Sequence, residues 1–473
     1  MPGWTSHARR SWRTRCSSTA GASPTSGLTG PIDPRSASRA TTRGRTSRWL
    51  RPRSRPTIRR RSTGTRSAPR PGPSWPADRR PAVAAGPGHI VVVGGGVFGA
   101  ASALELRARG WTVTLLDPHP LPYEGASSTD VSKLVRMDYG SDVFYHELAE
   151  AALAGWDDWN AAWPRRLYHQ DGLLVLSRGP MLPGGFEYES WRGLRERGYE
   201  PERLSERTLA ERFPAWRAAS FPDGYVNARA GWAESAAVVE RLLDLARRAG
   251  ISIHLDGFAS LVDAGSRVAG VVTTSGERIV ADRVLVCAGA WTPTLLPWLS
   301  DRLWTVAQPV LHFRAADPTA FRGERFPPWT ADIAGSGWYG FPAIADGSVK
   351  IGHHGTGARV HPEARGEVSR EHVAKARAFL RDALPALADA PLVQHRVCLY
   401  CDTFDGDFLI DHDPDREGLV VASGGSGHAF KFAPVLGQII ADAVERRPHR
   451  GSERFGWRST GGRRAEEARF VGE

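Results

Sequence analysis

The chain has 473 residues, enough for two or three domains, and a formal charge of +11 that suggests an anionic partner such as nucleic acid. That charge is concentrated at one end: residues 1–88 hold 19 Arg against two acids, Asp33 and Asp78, a surplus of +17 that leaves −6 on the other 385 residues. A mildly acidic body argues against nucleic acid as the partner of the folded part. No run of 18 apolar residues offers a membrane span, and four cysteines are too few for a disulfide scaffold and fit a reducing, cytoplasmic setting.

Residues 1–88 are rich in Arg, Ser, Thr, Pro and Gly without apolar periodicity, and are expected to be disordered because they cannot bury enough surface to offset their ordering entropy. They lack the apolar core of a secretory signal. Three readings stay open: non-coding sequence upstream of the true start, a flexible basic tail with electrostatic partners, or a targeting segment.

The folded part opens at GHIVVVGGGVFGAASALELRARGWTVTLLD. A buried strand, Ile90 to Val93, meets glycines and a helix with Ala100 and Ala103 facing inward; a second strand runs from Trp111 to Leu116. Gly94, Gly96 and Gly99 form G-x-G-x-x-G between strand and helix, and Asp117 follows Gly99 by 18 residues at the end of the second strand. The first glycine makes the tight turn, the second lets backbone approach a pyrophosphate, and the third permits close helix–strand packing. The helix N-terminus attracts phosphate, and the carboxylate accepts from ribose hydroxyls. Strand, glycines, helix, strand and acid in this order predict a dinucleotide site without choosing between NAD and FAD.

Further along, SSTDVSKLVRMDYG places Lys133 and Arg136 three apart, where a helical turn would bring both to one side. Residues 233–249 read as an amphipathic helix carrying Val238, Val239, Leu242 and Leu245 and stopping at Gly250, and RVAGVVTTSGERIVADRVLVCAGAW as a hairpin followed by a buried strand. Between 296 and 394 short strands are interrupted by one helix near 369–385; in WYGFPAIADGSVKIGHH, period two sets Lys350 and its alternate neighbours on one strand face. Cys398 and Cys401 form C-x-x-C in apparent β-structure. The only other cysteines are Cys16 and Cys287, too few for a four-ligand zinc site, and a thioredoxin-like pair would sit at a helix start. The last folded segment is a strand from Gly418 to Ala422, the glycine turn of VVASGGSGHAFKFAPVLGQII, and a helix from Pro434 to Glu445; residues 447–473 read as a polar, frayed end.

From His89 to Glu445, about three-quarters of the chain, these four motifs and the nucleotide unit resemble the FAD-dependent amine oxidases of the D-amino-acid oxidase superfamily, above all monomeric sarcosine oxidase and the fructosyl amino acid oxidases. The resemblance implies an α/β fold in which a Rossmann-like FAD-binding domain (89–170, 225–295 and 395–446) is interleaved with a β-rich antiparallel-sheet substrate domain (171–224 and 296–394), flanked by the tails 1–88 and 447–473. It implies that Arg136 and Lys431 grip a substrate carboxylate, that Lys133 lies by the isoalloxazine, and that Lys350 activates oxygen while Tyr339 and His354 line the pocket. Cys398 would bond the flavin covalently, and Gly427, His428 and Phe430 would cradle it. Lys133 is Arg in sarcosine oxidase, and His353 stands where that enzyme has Tyr.

The implied activity is oxidation of a secondary or N-substituted α-amino acid to an imine that water hydrolyses, with O2 becoming hydrogen peroxide, in a monomer. No Asp or Glu in the four motifs presents itself as an acid–base group. The alternatives are a dehydrogenase using an acceptor other than oxygen and, from another class, nucleic-acid binding through the basic tail, which lacks interleaved aromatics and a folded reader module.

Overall fold

The computed structural model describes residues 87–461 and 467–472. The disorder expected of the first 88 residues therefore lies outside the described residues, except that the Gly88 carbonyl already accepts the Thr112 N–H at 3.0 Å.

Near-continuous Val, Ile and Leu runs form a parallel sheet buried on both faces. Its order is Leu409–His412, Leu419–Ser423, Arg283–Val286, His89–Val93, Thr112–Leu116, Ser252–His254, with only the first strand antiparallel to its neighbour. Alternation divides the central strand between two cores. Ile90 and Val92 pack under the helices Val97–Ala108, Ser235–Arg248 and Ala433–Val444, whereas Val91 and Val93 face the meander Phe258–Ala264, Arg267–Thr273 and Arg278–Val280. The helices Val97–Ala108 and Ala433–Val444 approach so closely that a Cβ on Gly437 would lie 2.6 Å from the Ala101 carbonyl oxygen.

A second, mostly antiparallel sheet runs Ala358–Arg359, Leu303–Arg314, Ser348–His353, Trp338–Gly340, Trp329–Ala331, Leu173–Ser177, Asp223–Asn227, Glu202–Ser205, and the strand Leu392–Thr403 also pairs with Leu303–Arg314. Its core is aromatic, with Trp216, Phe313, Phe326 and Trp329 packed against Phe379 and the other buried residues of the helix Arg370–Ala383. The fold is thus mixed α/β, a parallel nucleotide-type sheet interleaved along the chain with a larger antiparallel one. No helix among the described residues is long and apolar enough to cross a membrane.

Three expectations need correction. Lys133 and Arg136 do not share a helical turn: Lys133–Val135 is a short strand whose Lys133 pairs with Ala233 of Gly231–Ala233. Lys133, Leu134, Val135 and Arg136 are consecutive long or β-branched side chains, which suit a pleated strand as well as a helix. A 20-residue helix, Val143–Ala162, is absent from the expected elements; Asp142 caps it by accepting the Tyr145 N–H, and Leu148, Ala149, Ala152, Leu153 and Trp156 form its buried stripe. Finally, the segment after Arg447 is not frayed where it is described. Phe455 is fully buried, Arg454 forks onto Asp142 at 2.6 and 2.7 Å while reaching Asp407 at 2.8 Å, and Arg458 holds both oxygens of Asp405 at 2.6 Å. Polar composition misled because these arginines neutralise buried acids that lie far away in sequence.

Candidate active site

The nucleotide end of the parallel sheet meets the requirements set by its glycines. Gly94 turns with φ +105°, a Cβ on Gly99 would overlap the Gly94 carbonyl oxygen, and Gly96 is the N-cap residue of the helix Val97–Ala108 without any side-chain cap. A Cβ on Gly96 would meet only Ser128 Oγ, at 3.2 Å, so the protein itself leaves that face of the loop open. Asp117 is buried at the tip of the second strand; its carboxylate accepts the Gly95 N–H at 2.8 Å and the His119 N–H at 3.0 Å. An open glycine face, a helix N-terminus whose N-cap residue carries no side chain and an acid at the strand tip fit a dinucleotide such as FAD. Ser128, which accepts the Val97 N–H at 3.3 Å, belongs to this loop and was not anticipated.

A cleft with about 580 Å³ of empty space, its open mouth included, is lined by the antiparallel sheet (Thr330, Tyr339, Tyr400), by the short strand Lys133–Val135 and by the glycine turn and one-turn helix that follow the strand Leu419–Ser423. It brings together eight of the residues singled out from sequence: Lys133, Arg136, Tyr339, His354, Gly427, His428, Phe430 and Lys431. Lys431 is buried on the one-turn helix Ala429–Phe432, donating to Tyr139 Oη at 2.8 Å and to the His428 carbonyl at 2.6 Å. The Arg136 guanidinium lies 4.9 Å from the centre of the same Tyr139 ring. One phenol therefore spaces the two cations. His428 is fixed through both ring nitrogens, to Tyr139 Oη at 3.1 Å and the Gly406 carbonyl at 3.0 Å, and Gly427 turns with φ +78° against the Tyr400 ring. His353 faces away from the cleft into Trp338, His372 and Phe470, and burial beside His372 lowers its pKa to about 4. His353 is therefore not among the residues that line the cleft.

Lys350 and Cys398 stand behind the cleft wall. The Lys350 ammonium is buried 2.6 Å from Asp130 Oδ2 and 2.6 Å from the Ser132 carbonyl, and lies 4.5 Å from the centre of Phe341, which does line the cleft. Asp130 also accepts from Lys133 at 3.2 Å, and Lys133 Nζ lies 3.9 Å from Cys398 Sγ. Burial alone would push the Asp130 carboxyl up, but Lys350 and Lys133 outweigh it and hold it well below the usual carboxylate range. Burial lowers Lys350 to about 8 against the pull of Asp130. For Lys133, burial is outweighed by Cys398 and Asp130, and its pKa is raised. The acid of the first motif that enters this arrangement is Asp130. It is a permanent carboxylate serving two lysines and not a proton-transfer group.

Cys401 is three residues beyond Cys398 on the strand Leu392–Thr403, so alternation sends the two thiols to opposite faces; Cys401 packs in the core beneath the parallel sheet. Both are unpaired, and no group of three or more potential metal ligands occurs among the described residues. The cleft also holds Leu134, Thr330, Ile333, Phe341 and Tyr400, which sequence reasoning missed. Burial holds the phenols of Tyr339 and Tyr400 above the usual tyrosine range, so neither is a base near neutral pH.

Residues 89–443 match the family model described as DAO, FAD dependent oxidoreductase. The chain is 32% identical over 363 residues to an N-methyl-L-tryptophan oxidase of Salmonella typhi, covering 75% of this chain and 93% of the relative. A second N-methyl-L-tryptophan oxidase, of Salmonella arizonae, is 32% identical over 371 residues, covering 76% and 95%. Among solved structures, the deglycating enzyme fructosamine oxidase (Amadoriase II) of Aspergillus fumigatus superposes with a TM-score of 0.68 at 26% identity, over 81% of this chain and 95% of that one.

The glycine geometry separates folding from cofactor binding. Gly99→Ala is expected to leave little folded protein, because its methyl meets backbone. Gly96→Ala meets only a serine hydroxyl and is expected to fold with a near-native circular dichroism spectrum yet purify with most of its FAD missing. Flavin-to-protein absorbance ratios decide the matter, and a fully loaded Gly96→Ala protein would place the phosphates elsewhere.

Proposed function

The chain belongs to the family of FAD-dependent oxidoreductases, and from that premise we propose that it is an oxidase of secondary or N-substituted α-amino acids, with oxygen as electron acceptor and hydrogen peroxide as product. The observation that carries this reading is the cleft, where Arg136 and Lys431 flank Tyr139 at one place and Lys133 stands at another. When bound, FAD supplies the hydride-accepting and oxygen-reducing chemistry.

FAD would be held by Gly94, Gly96, Gly99 and Asp117 at its dinucleotide end and by Gly427, His428 and Phe430 at the cleft. The division of the chain into an FAD-binding and a substrate domain rests on the same two-sheet arrangement. Arg136 and Lys431 bind the substrate carboxylate: both cations line the cleft on either side of Tyr139, and Lys431 has a fixed direction because it donates to Tyr139 and to the His428 carbonyl. Tyr339, His354 and Tyr400 orient the amine end, and as un-ionised phenols the two tyrosines donate or accept hydrogen bonds without removing its proton. The cleft's apolar part, Leu134, Ile333, Phe341 and Phe430, excludes water and accommodates an N-alkyl group or a bulky side chain.

The reading is tested by a peroxide-release screen over N-methyl amino acids, cyclic imino acids and sugar–amino acid adducts. Charge-assisted bonds to one carboxylate are worth about 1.5–3 kcal/mol each, so Arg136→Ala should lower kcat/KM by about 10- to 150-fold with FAD retained. Normal kinetics in that variant would remove the carboxylate assignment, and substrate-dependent dye reduction without oxygen uptake would replace the oxidase by a dehydrogenase.

Cys398 is the attachment point we propose for the flavin. Its position next to Lys133, a cleft residue, supports this, as does its having no disulfide partner among the described residues. Acid-precipitated protein should stay yellow, while Cys398→Ala should release its FAD to the supernatant. Full release from the unaltered protein would sink the attachment.

Lys350 is assigned to oxygen activation, acting from behind Phe341. Two ammonium groups share one carboxylate, so the trio keeps a net positive charge that favours the anion formed when oxygen takes an electron. A lone ammonium about 4 Å away would contribute roughly 4 kcal/mol at an effective dielectric of 20; Asp130 cancels much of that, leaving on the order of ten- to a hundredfold in rate for Lys350→Met. With its pKa near 8, Lys350 loses its proton as pH rises through that value, and reoxidation should slow over the same interval. Stopped-flow reoxidation flat from pH 7 to 10 would show that oxygen is activated elsewhere.

A further inference from the structure

The C-terminal segment is joined to the walls of the cleft by contacts that the activity above does not use. The Phe470 N–H donates to the His354 carbonyl at 3.0 Å and Phe470 bridges Gly355, so the segment adds a short extension beside the strand that delivers His354. Ala468 is buried against Ile333 and Phe186, with Tyr339 packed on the same small cluster. Glu467 accepts the Ser141 N–H at 2.9 Å and its hydroxyl at 2.5 Å. Arg469 is the fastener. It reaches Asp402 at 2.6 and 3.3 Å, the Ser426 carbonyl at 3.3 Å and the Thr356 carbonyl at 3.4 Å, and lies 5.3 Å from the centre of the Tyr400 ring.

These anchor points are not scattered. Asp402 is two residues beyond Tyr400, Ser426 immediately precedes Gly427, and Thr356 is two beyond His354; Tyr400, Gly427 and His354 all line the cleft. A single guanidinium thus ties together three segments, separate in sequence, at the points where each enters the site. With Arg469 and Asp402 only 10% and 11% exposed, the pair is shielded from the screening that makes surface ion pairs weak. Loss of Arg469 would leave a nearly buried carboxylate and two carbonyls without this donor, which is the costly way to break such a network.

We propose that residues 467–472 form part of the substrate site, with Arg469 as a positioning residue for His354 and Tyr400 and Ala468 as a specificity determinant that sets the depth of the cleft at Ile333. The proposal rests on the amino-acid oxidase reading for its kinetic tests. A methyl group at 468 lets Ile333 and Phe186 close over it, whereas a longer side chain pushes Ile333 into the cleft. Space is then taken from the cleft at Ile333, where a larger substrate side chain is the first to meet it; Phe186, the other member of the cluster, lies 5.8 Å from the Arg136 guanidinium.

Full-length holoenzyme carrying Arg469→Met, Arg469→Lys or Ala468→Leu tests this. Displacement of positioning groups by fractions of an ångström is expected to raise KM on the order of tenfold in Arg469→Met while kcat moves far less and FAD content holds, with partial rescue in Arg469→Lys. Ala468→Leu should raise KM for an N-methyl amino acid with a large aromatic side chain by about tenfold more than for one with a hydrogen or methyl side chain. A readout free of substrate accompanies these: hydrogen exchange should quicken in Arg469→Met across residues 353–356 and 399–402. Unchanged KM together with unchanged exchange in Arg469→Met would overturn the positioning role, and equal effects on small and large substrates in Ala468→Leu would overturn the specificity role. Rapid exchange of residues 467–472 in the unaltered protein would overturn both. Should the unaltered enzyme oxidise no N-substituted amino acid, the activity reading falls while the exchange comparison still decides whether Arg469 orders the cleft.

Discussion

Asp130 is the residue through which the two halves of this molecule are joined. Its carboxylate holds Lys350, from the antiparallel sheet, at 2.6 Å and Lys133, from the short strand that crosses toward the cleft, at 3.2 Å. Its carbonyl oxygen accepts from Ser235 Oγ at 2.5 Å and the Ala236 N–H at 3.0 Å, which anchors the start of the helix Ser235–Arg248 beneath the parallel sheet. One residue therefore fixes a helix of the nucleotide half and a lysine of the substrate half. All this happens at a buried site, where an unpaired ammonium would cost several kcal/mol. The pairing determines where both lysines point, and hence where positive charge reaches the cleft.

The rest of the site follows from that placement. Lys133, steered by Asp130 and neighbouring Cys398, faces the cleft, while Lys350 is confined behind Phe341. On the opposite flank Tyr139 stands between two cations, accepting from Lys431 at its hydroxyl and meeting the Arg136 guanidinium at its ring. Arg469 and Arg454 repeat the device further out, each drawing distant segments onto buried carboxylates. The architecture relies on a few charge pairs whose members lie far apart in the chain.

That reliance explains what was legible in the sequence. The nucleotide unit could be read because all its requirements are local: Gly94, Gly99 and Asp117 act through turn conformation, close packing and strand position, each encoded within some thirty residues. Lys133, Arg136, Tyr339, His354 and Lys431 were found through motif resemblance, and they do meet in one cleft. Asp130 was passed over although it stands in the first motif, since its meaning depends on Lys350, 220 positions away. Spacing alone suggested a helix for Lys133 and Arg136 because an i, i+3 pair carries no mark of the strand partner, Gly231–Ala233, that decides the matter. The C-terminal arginines looked like solvated charge for the same reason: the acids Asp142, Asp402, Asp405 and Asp407 that pair with them belong to other elements.

The electrostatics also bear on how an amine enters. Lys133, Arg136 and Lys431 all line the cleft, whereas Asp130, the carboxylate nearest to Lys133, already serves two ammonium groups from behind the wall. A substrate carboxylate is attracted on both Coulombic and hydrogen-bonding grounds. A protonated amine on the same molecule meets like charge from Lys133 in a partly desolvated space, and the tyrosines that face it are un-ionised and supply no counter-ion. The cleft is therefore biased toward the neutral amine, the form whose lone pair assists departure of hydride from the adjacent carbon. No carboxylate is among the described residues that line the cleft; in the proposed reaction the positive field moves the substrate's own protonation equilibrium, and the proton is left in the solvent before chemistry begins.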